Sequence, residues 1–232
     1  MSNYKNIIGT HIKSVTTDPP NPENGQMWYN STTRVVKGFT SNPAGAWATG
    51  VTVNTARQLV GEAGSQTQAL LFGGQPNPAK TETESWNGSS WTEVNDLNVG
   101  RNGLGSAGTY TSALGFGGEP ATVNNESWNG TSWTEVNDLN TARRILSASA
   151  QGTNTDTVVF GGYSTANSAL TELWNGSSFS EIADLSTARY GGGGHGNSSA
   201  AMLSTGSGPG GDTTAMEQLN RPATNTVTFT TS

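Results

Sequence analysis

Glu82 and Glu84 stand two residues apart in the run TETESW and so share one face of an extended strand, with Glu93 one short turn away. Two carboxylates placed like this can hydrolyse a glycoside, one protonating the leaving oxygen while the other attacks or activates water. The pattern is not unique to one place. Glu84, Glu126 and Glu172 recur in phase, as do Glu93, Glu135 and Glu181. An active site normally occurs once, so a carboxylate found in every unit reads as architecture. The chain has no cysteine, which removes thiolate nucleophiles, thiolate metal sites and disulfides. No enzymatic activity is expected.

Four arginines also recur in phase: Arg57, Arg101, Arg143 and Arg189. As a ring of cations they would bind an anion. As structural groups they would pair with Asp96, Asp138 and Asp184, each five residues before the next arginine, and this second reading is preferred. Thr52 holds that position in the first unit and leaves Arg57 without such a partner. Trp86, Trp91, Trp128, Trp133 and Trp174 could stack sugar rings, but aromatics at fixed phase are more often packing between repeated sheets. His11 and His195 are isolated, so neither a metal site nor a cofactor is expected. The run YGGGGHG at 190–196 lacks the Lys-Ser/Thr ending of a phosphate loop. Asn87, Asn129 and Asn175 open Asn-Gly-Ser/Thr sequons that a turn explains without glycosylation.

These residues must be carried by a repeated element. ESWNGSSWTEVNDLN (84–98) returns as ESWNGTSWTEVNDLN (126–140) and again as ELWNGSSFSEIADLS (172–186). LLFGG, LGFGG and VVFGG precede the copies, and an arginine follows each. Units start near 57, 101, 143 and 189. Each reads as four strands: a small-residue strand, an apolar strand ending in Gly-Gly, a polar strand ending in Trp, and a strand that begins at the second aromatic. An Asn-Gly hairpin joins the last two, both residues tolerating positive φ. Trp91, Val94 and Leu97 have helical spacing, but a strand running into a turn with the leucine tucked back fits better. Glycine at 31 of 232 residues and charged residues at 12%, about half the usual share, suit short strands and tight turns. A net charge of −6 with eleven scattered Lys and Arg argues against nucleic acid. Residues 1–20 lack the apolar core of a signal peptide, and no apolar run reaches a membrane span.

The order apolar strand–Gly-Gly, aromatic, turn, Trp or Phe, then Arg resembles the kelch repeat of β-propellers over about residues 47–220. The resemblance implies an all-β propeller of four-stranded blades over 34–232, with four blades or alternatively five. The fourth unit departs from it, with AAMLSTG (200–206) lacking Gly-Gly and Leu219 replacing the Trp. Residues 34–52, with Trp47 ten before Arg57, read as outer strands that close the ring or begin a fifth blade, and 226–232 as a further closing strand. DPPNPENGQMWYNSTTRVVKGF (18–39) resembles the N-terminal segment of phage tail and fibre proteins, and with the propeller the chain is similar to small kelch-like virion proteins of marine bacteriophages. That resemblance implies a structural virion protein, made in the host cytoplasm and present in many copies. Residues 1–33 would dock on other virion proteins, with Trp28, Tyr29 and Asn30 as assembly contacts. The loops after Gly-Gly vary while their flanks hold, which makes them candidate contacts for a host-surface glycan or protein: Gln75, Asn77 and Lys80; Glu119, Asn124 and Asn125; Tyr163, Thr165 and Asn167. The alternative is a free carbohydrate-binding propeller, which needs no such N-terminal arm.

Overall fold

The first strand of each unit is poor in side-chain bulk because its cross-strand neighbour is a phenylalanine. Gly61 pairs with Phe72, and a Cβ on Gly61 would lie 2.3 Å from that ring. Gly105 and Phe116 repeat the relation at 2.1 Å. The small strand therefore lets a large apolar ring lie across it. The computed structural model describes residues 12–21, 23, 26–38, 49–76 and 78–221, and its elements there are all strands. No helix among the described residues is long and apolar enough to cross a membrane.

Two units separate, Met1–Gly50 and Val51–Ser232. The first holds a three-stranded sheet in which β1 (Lys13–Val15) runs parallel to β2 (Met27–Asn30) and β3 (Val35–Gly38) antiparallel to it. Asp18 ties the sheet together. Its carboxylate accepts from Trp28 Nε1 at 2.9 Å, Asn30 Nδ2 at 2.8 Å and Lys37 Nζ at 2.6 Å. Bonds from Lys37, Asn30 and Trp28 hold the Asp18 carboxyl well below its ordinary value. Val35–Gly38 thus pairs with β2, not with a repeat strand. Residues 39–48 of the expected closing segment 34–52 lie outside the described residues, as does the expected closing strand 226–232.

The second unit contains the repeats. The first sheet is β4 (Gly61–Gly64), β5 (Ala69–Phe72), β6 (Thr83–Trp86) and β7 (Trp91–Val94); the second is β8 (Gly105–Thr109), β9 (Ser112–Phe116), β10 (Asn125–Trp128) and β11 (Trp133–Val136). The third is β12 (Ser147–Ala148), β13 (Thr157–Phe160), β14 (Thr171–Trp174) and β15 (Phe179–Glu181). Each is an antiparallel meander in chain order. The fourth sheet has three strands, β16 (Gly193–Gly196), β17 (Ala200–Ser204) and β20 (Met216–Asn220), with the hairpin β18 (Ser207–Gly208) and β19 (Gly211–Asp212) in the loop between the last two. The run after each second aromatic is strand, and Leu97 and Leu139 turn back into the core at 3% exposed. The outer turns differ from expectation in one respect. Only the glycine takes positive φ (94° at Gly88), while Asn87 Oδ1 accepts the N–H groups of Ser89 and Ser90, both at 2.9 Å. The Asn acts through its side chain, closing an Asx-type turn.

The four sheets stack in order. Leu70 and Phe72 of the first pack with Trp128 and Trp133 of the second, Leu114 and Phe116 of the second with Trp174 and Phe179 of the third, and Val158 and Phe160 of the third with Ala201 and Leu203 of the fourth. The burial of these aliphatic and aromatic groups drives the stacking. A backbone chain crosses the sheets two residues after each in-phase arginine. Gly103 N donates to Leu59 O at 2.8 Å, Ile145 N to Gly103 O at 2.6 Å and Gly191 N to Ile145 O at 3.2 Å. All four residues have positive φ, including Leu59 (55°) and Ile145 (49°). No bond from Leu59 N back to Gly191 O closes this chain among the described residues.

Candidate functional site

The in-phase arginines are fully enclosed, and their partner is a glutamate. Arg57 Nη2 meets Glu84 Oε1 at 2.8 Å, Arg101 meets Glu126 at 2.8 Å, and Arg143 and Arg189 pair with Glu172 and Glu217. The expected Asp–Arg pairing is therefore replaced, and Arg57 does have a partner. Asp96, Asp138 and Asp184 instead accept the backbone N–H of Thr83, Asn125 and Thr171, at 3.1, 3.1 and 2.9 Å. They cap the start of the third strand in each sheet. Burial pulls the Arg101 and Arg143 guanidinium groups below their ordinary value, while Glu126 and Glu172 oppose that shift. The other carboxylate oxygen of Glu126 accepts both the backbone N–H and the Nδ2 of Asn98, each at 2.8 Å. Asn54 on Glu84 and Asn140 on Glu172 repeat this contact. Ser186 N does the same for Glu217.

The arginine also explains the double glycine. Arg101 sends its guanidinium into the second sheet, yet its carbonyl accepts from Gly74 N of the first at 2.9 Å. Gly73 has φ +66°, and a Cβ there would sit 2.6 Å from that carbonyl. Gly118 N on Arg143 O and Gly162 N on Arg189 O repeat the bond. Arg101, Arg143 and Arg189 thus each fasten two sheets, one through the side chain and one through the backbone.

The loops leaving Gly-Gly stand on this frame. Each begins in a two-residue bridge with the position just after the arginine: Gln58 with Gln75, Asn102 with Glu119, Arg144 with Tyr163 and Tyr190 with Ser207. A run of contacts crosses three of the units. Arg144 forms an ion pair with Glu119 and lies 5.0 Å over the Tyr163 ring, and Tyr163 meets Tyr190 edge-on at 5.5 Å. Tyr163, Asn167, Tyr190 and Ser207 border one groove, and Gln75, Asn102, Glu119 and Arg144 border another.

The expected contact residues separate on this geometry. Gln75, Glu119, Asn124, Tyr163 and Asn167 are half-buried and Thr165 is exposed, while Lys80 pairs with Glu82 at 3.4 Å. Asn77 lies outside the described residues. Asn125 is a correction: it is fully buried inside the second sheet, with Nδ2 donating to Asn137 O at 3.1 Å, and cannot face a ligand. Among the assembly candidates, Trp28 and Asn30 are buried in their own sheet, and Tyr29 is half-buried. Trp86 and Trp91 are half-buried, whereas Trp128, Trp133 and Trp174 are core. Sequence reasoning missed Gln58, Asn102, Arg144 and Tyr190. Their signal was available, because the residue after each invariant arginine differs in every unit. No three acidic or histidine side chains gather at metal-binding distance among the described residues.

No protein-family model matches the chain, and no curated protein matches it closely enough to count as a relative.

Proposed function

We propose that the protein is a non-enzymatic structural component of a bacteriophage virion. In this reading the four repeat sheets are blades of a four-bladed kelch-like β-propeller, the N-terminal arm docks on other virion proteins, and the Gly-Gly loops face the host surface. The observation that carries it is the contrast within the second unit. An Arg–Glu pair recurs in all four units, buried in the first three and partly open at Glu217 in the fourth, while the loops and bridge residues mounted on this frame change from unit to unit. Rigid frame and variable loops are the division expected of a recognition module. The N-terminal resemblance to phage tail and fibre proteins supplies the virion context, and many copies per particle would turn weak contacts into firm attachment.

One observation favours a second reading, a free carbohydrate-binding propeller. Tyr163 and Tyr190 form an aromatic pair beside the Asn167 amide, and sugar faces pack on such rings. Binding of the labelled full chain to bacterial cells and to a glycan array tests both. Loss of cell binding in Tyr163→Ala/Tyr190→Ala is the expected result. Undiminished cell binding in that variant would contradict attachment through the loops. Glycan binding that persists without residues 1–50, in a full chain that stays monomeric, would favour the free lectin.

A further inference from the structure

The four bridge pairs at the loops are not equivalent. The first two join Gln58 with Gln75 and Asn102 with Glu119, whereas the third and fourth bring in the rings of Tyr163 and Tyr190. These rings meet at 5.5 Å with 69° between their planes, so they make a corner and not a parallel slot. They border a groove of about 420 Å³, a size suited to a small ligand. Ala166, Ala188 and Pro209 add apolar wall, and Asn167 and Ser207 add polar groups. Asn167 Nδ2 donates to Ser207 O at 3.4 Å. Its Oδ1 and the Ser207 hydroxyl make no bond among the described residues, so both are open to a ligand. None of the eight residues bordering the groove is charged. The Arg144 guanidinium over Tyr163 is committed to Glu119. Asp212, exposed and opposite Ser207 in the β18–β19 hairpin, would repel a carboxylate.

We propose that this groove is a single binding site for a neutral saccharide. The apolar face of one sugar ring lies on a tyrosine, and its hydroxyls bond to Asn167 Oδ1 and the Ser207 hydroxyl. A peptide added as a strand would need unpaired main-chain groups. Here Tyr190 and Ser207 exchange theirs at 3.1 and 2.9 Å, and Arg144 and Tyr163 exchange theirs at 2.8 Å. Aromatic corner, free amide oxygen and missing charge thus favour a neutral sugar over a peptide or an acidic glycan. The inference rests on the reading of the loops as a recognition surface, and adds to it the class of ligand and one place for it.

Gly208 allows the groove to be closed without touching the rings. A Cβ there would have Ala188 O at 3.7 Å and Gly211 O at 3.8 Å as its nearest neighbours, which is ordinary contact, and Ala188 is itself part of the groove wall. Gly210, where a Cβ would meet nothing within 4 Å, is the control. The full chain is titrated with glucose, galactose, mannose and N-acetylglucosamine, then with glucuronic acid and a polyproline peptide, and binding is read by saturation-transfer NMR. At least one neutral sugar is expected to bind saturably, and equally well in about 0.5 M NaCl. Glucuronic acid should bind more weakly. Gly208→Leu should weaken sugar binding about tenfold or more by steric exclusion, and Gly210→Leu should leave it unchanged. Where Gly208→Leu does not fold, Asn167→Ala supplies the second measurement, with the same direction of loss. Binding of no neutral sugar, undiminished binding in folded Gly208→Leu, or binding of polyproline in place of sugar would overturn the proposal. Cell binding lost in Gly208→Leu with no sugar bound would overturn the ligand class and leave attachment through the loops standing. Sugar binding lost in Gly208→Leu with cell binding intact would support the site and contradict attachment through it.

Discussion

Arg143 shows how much one side chain does in this molecule. Its guanidinium reaches Gly161 O at 2.7 Å, Leu170 O at 2.8 Å and the Glu172 carboxylate, and its backbone carbonyl holds Gly118 of the preceding sheet. Replacing only the cation leaves Glu172 charged and dry. Arg143→Met is therefore expected to cost about 3–5 kcal/mol in urea unfolding, and Arg143→Met/Glu172→Leu to recover a large part of that loss. Arg189→Met should cost less, because Glu217 keeps 24% of its side chain in solvent. Equal losses at Arg143 and Arg189, or no recovery in the double variant, would contradict the pairing. A second residue-scale expectation comes from the third unit, where Phe179 replaces the tryptophan of the second. Thr83 accepts the Trp133 indole N–H, but Asn125 Oδ1, in the matching place opposite Phe179, has no partner. Phe179→Trp should raise stability by about 1 kcal/mol by supplying that bond, read as a higher melting temperature. The gain should vanish when Asn125→Val is present as well. A lower melting temperature would show that the Phe116–Phe179 interface has no room for an indole. The sequence made the recurrence of arginine legible but not its partner. The separation from arginine to glutamate is 27, 25, 29 and 28 residues, shifting with the loop lengths, whereas the aspartates keep a constant spacing and so drew the wrong pairing.

At the scale of elements, the fourth sheet has three strands among the described residues and the one in-phase Arg–Glu pair partly open to solvent, and acid should reveal the difference. Burial pushes the Glu217 carboxyl up, but bonds from Ser186 and from Arg189 outweigh burial and leave it below the ordinary 4.5. A lowered value means that the fold favours the charged form. The stabilisation is present above about 4.5 and is lost as pH falls beneath it. Amide exchange in β20, corrected for intrinsic rates, should quicken below that point before exchange in β10, and Glu217→Gln should remove most of the difference. Simultaneous loss of both strands would contradict a separate weakness at β20. Strand positions were readable because alternation, Gly-Gly and Asn-Gly mark each of the first three units. The placement of Val35–Gly38 was not, because its partner, Met27–Asn30, lies outside the repeat and is fixed by Asp18 bonds with no periodic signature.

At the scale of the whole molecule, two units carry two proposed tasks, assembly in the first and recognition in the second. The loop candidates were legible as variation beside invariant Gly-Gly. The bridge residues Gln58, Asn102, Arg144 and Tyr190 were hidden beside the arginines, where four different side chains read as noise until backbone pairing set them next to the loops. Asn125 was misplaced for the opposite reason: it directly follows the variable loop in sequence but opens β10 and points into the core. The most direct measurement is the molar mass of the full chain, by light scattering over a range of concentrations, beside that of a chain starting at Val51. The virion reading predicts an assembly well above 24.0 kDa for the full chain and a monomer without residues 1–50. A full chain that stays monomeric at every concentration would contradict self-assembly through the N-terminal unit.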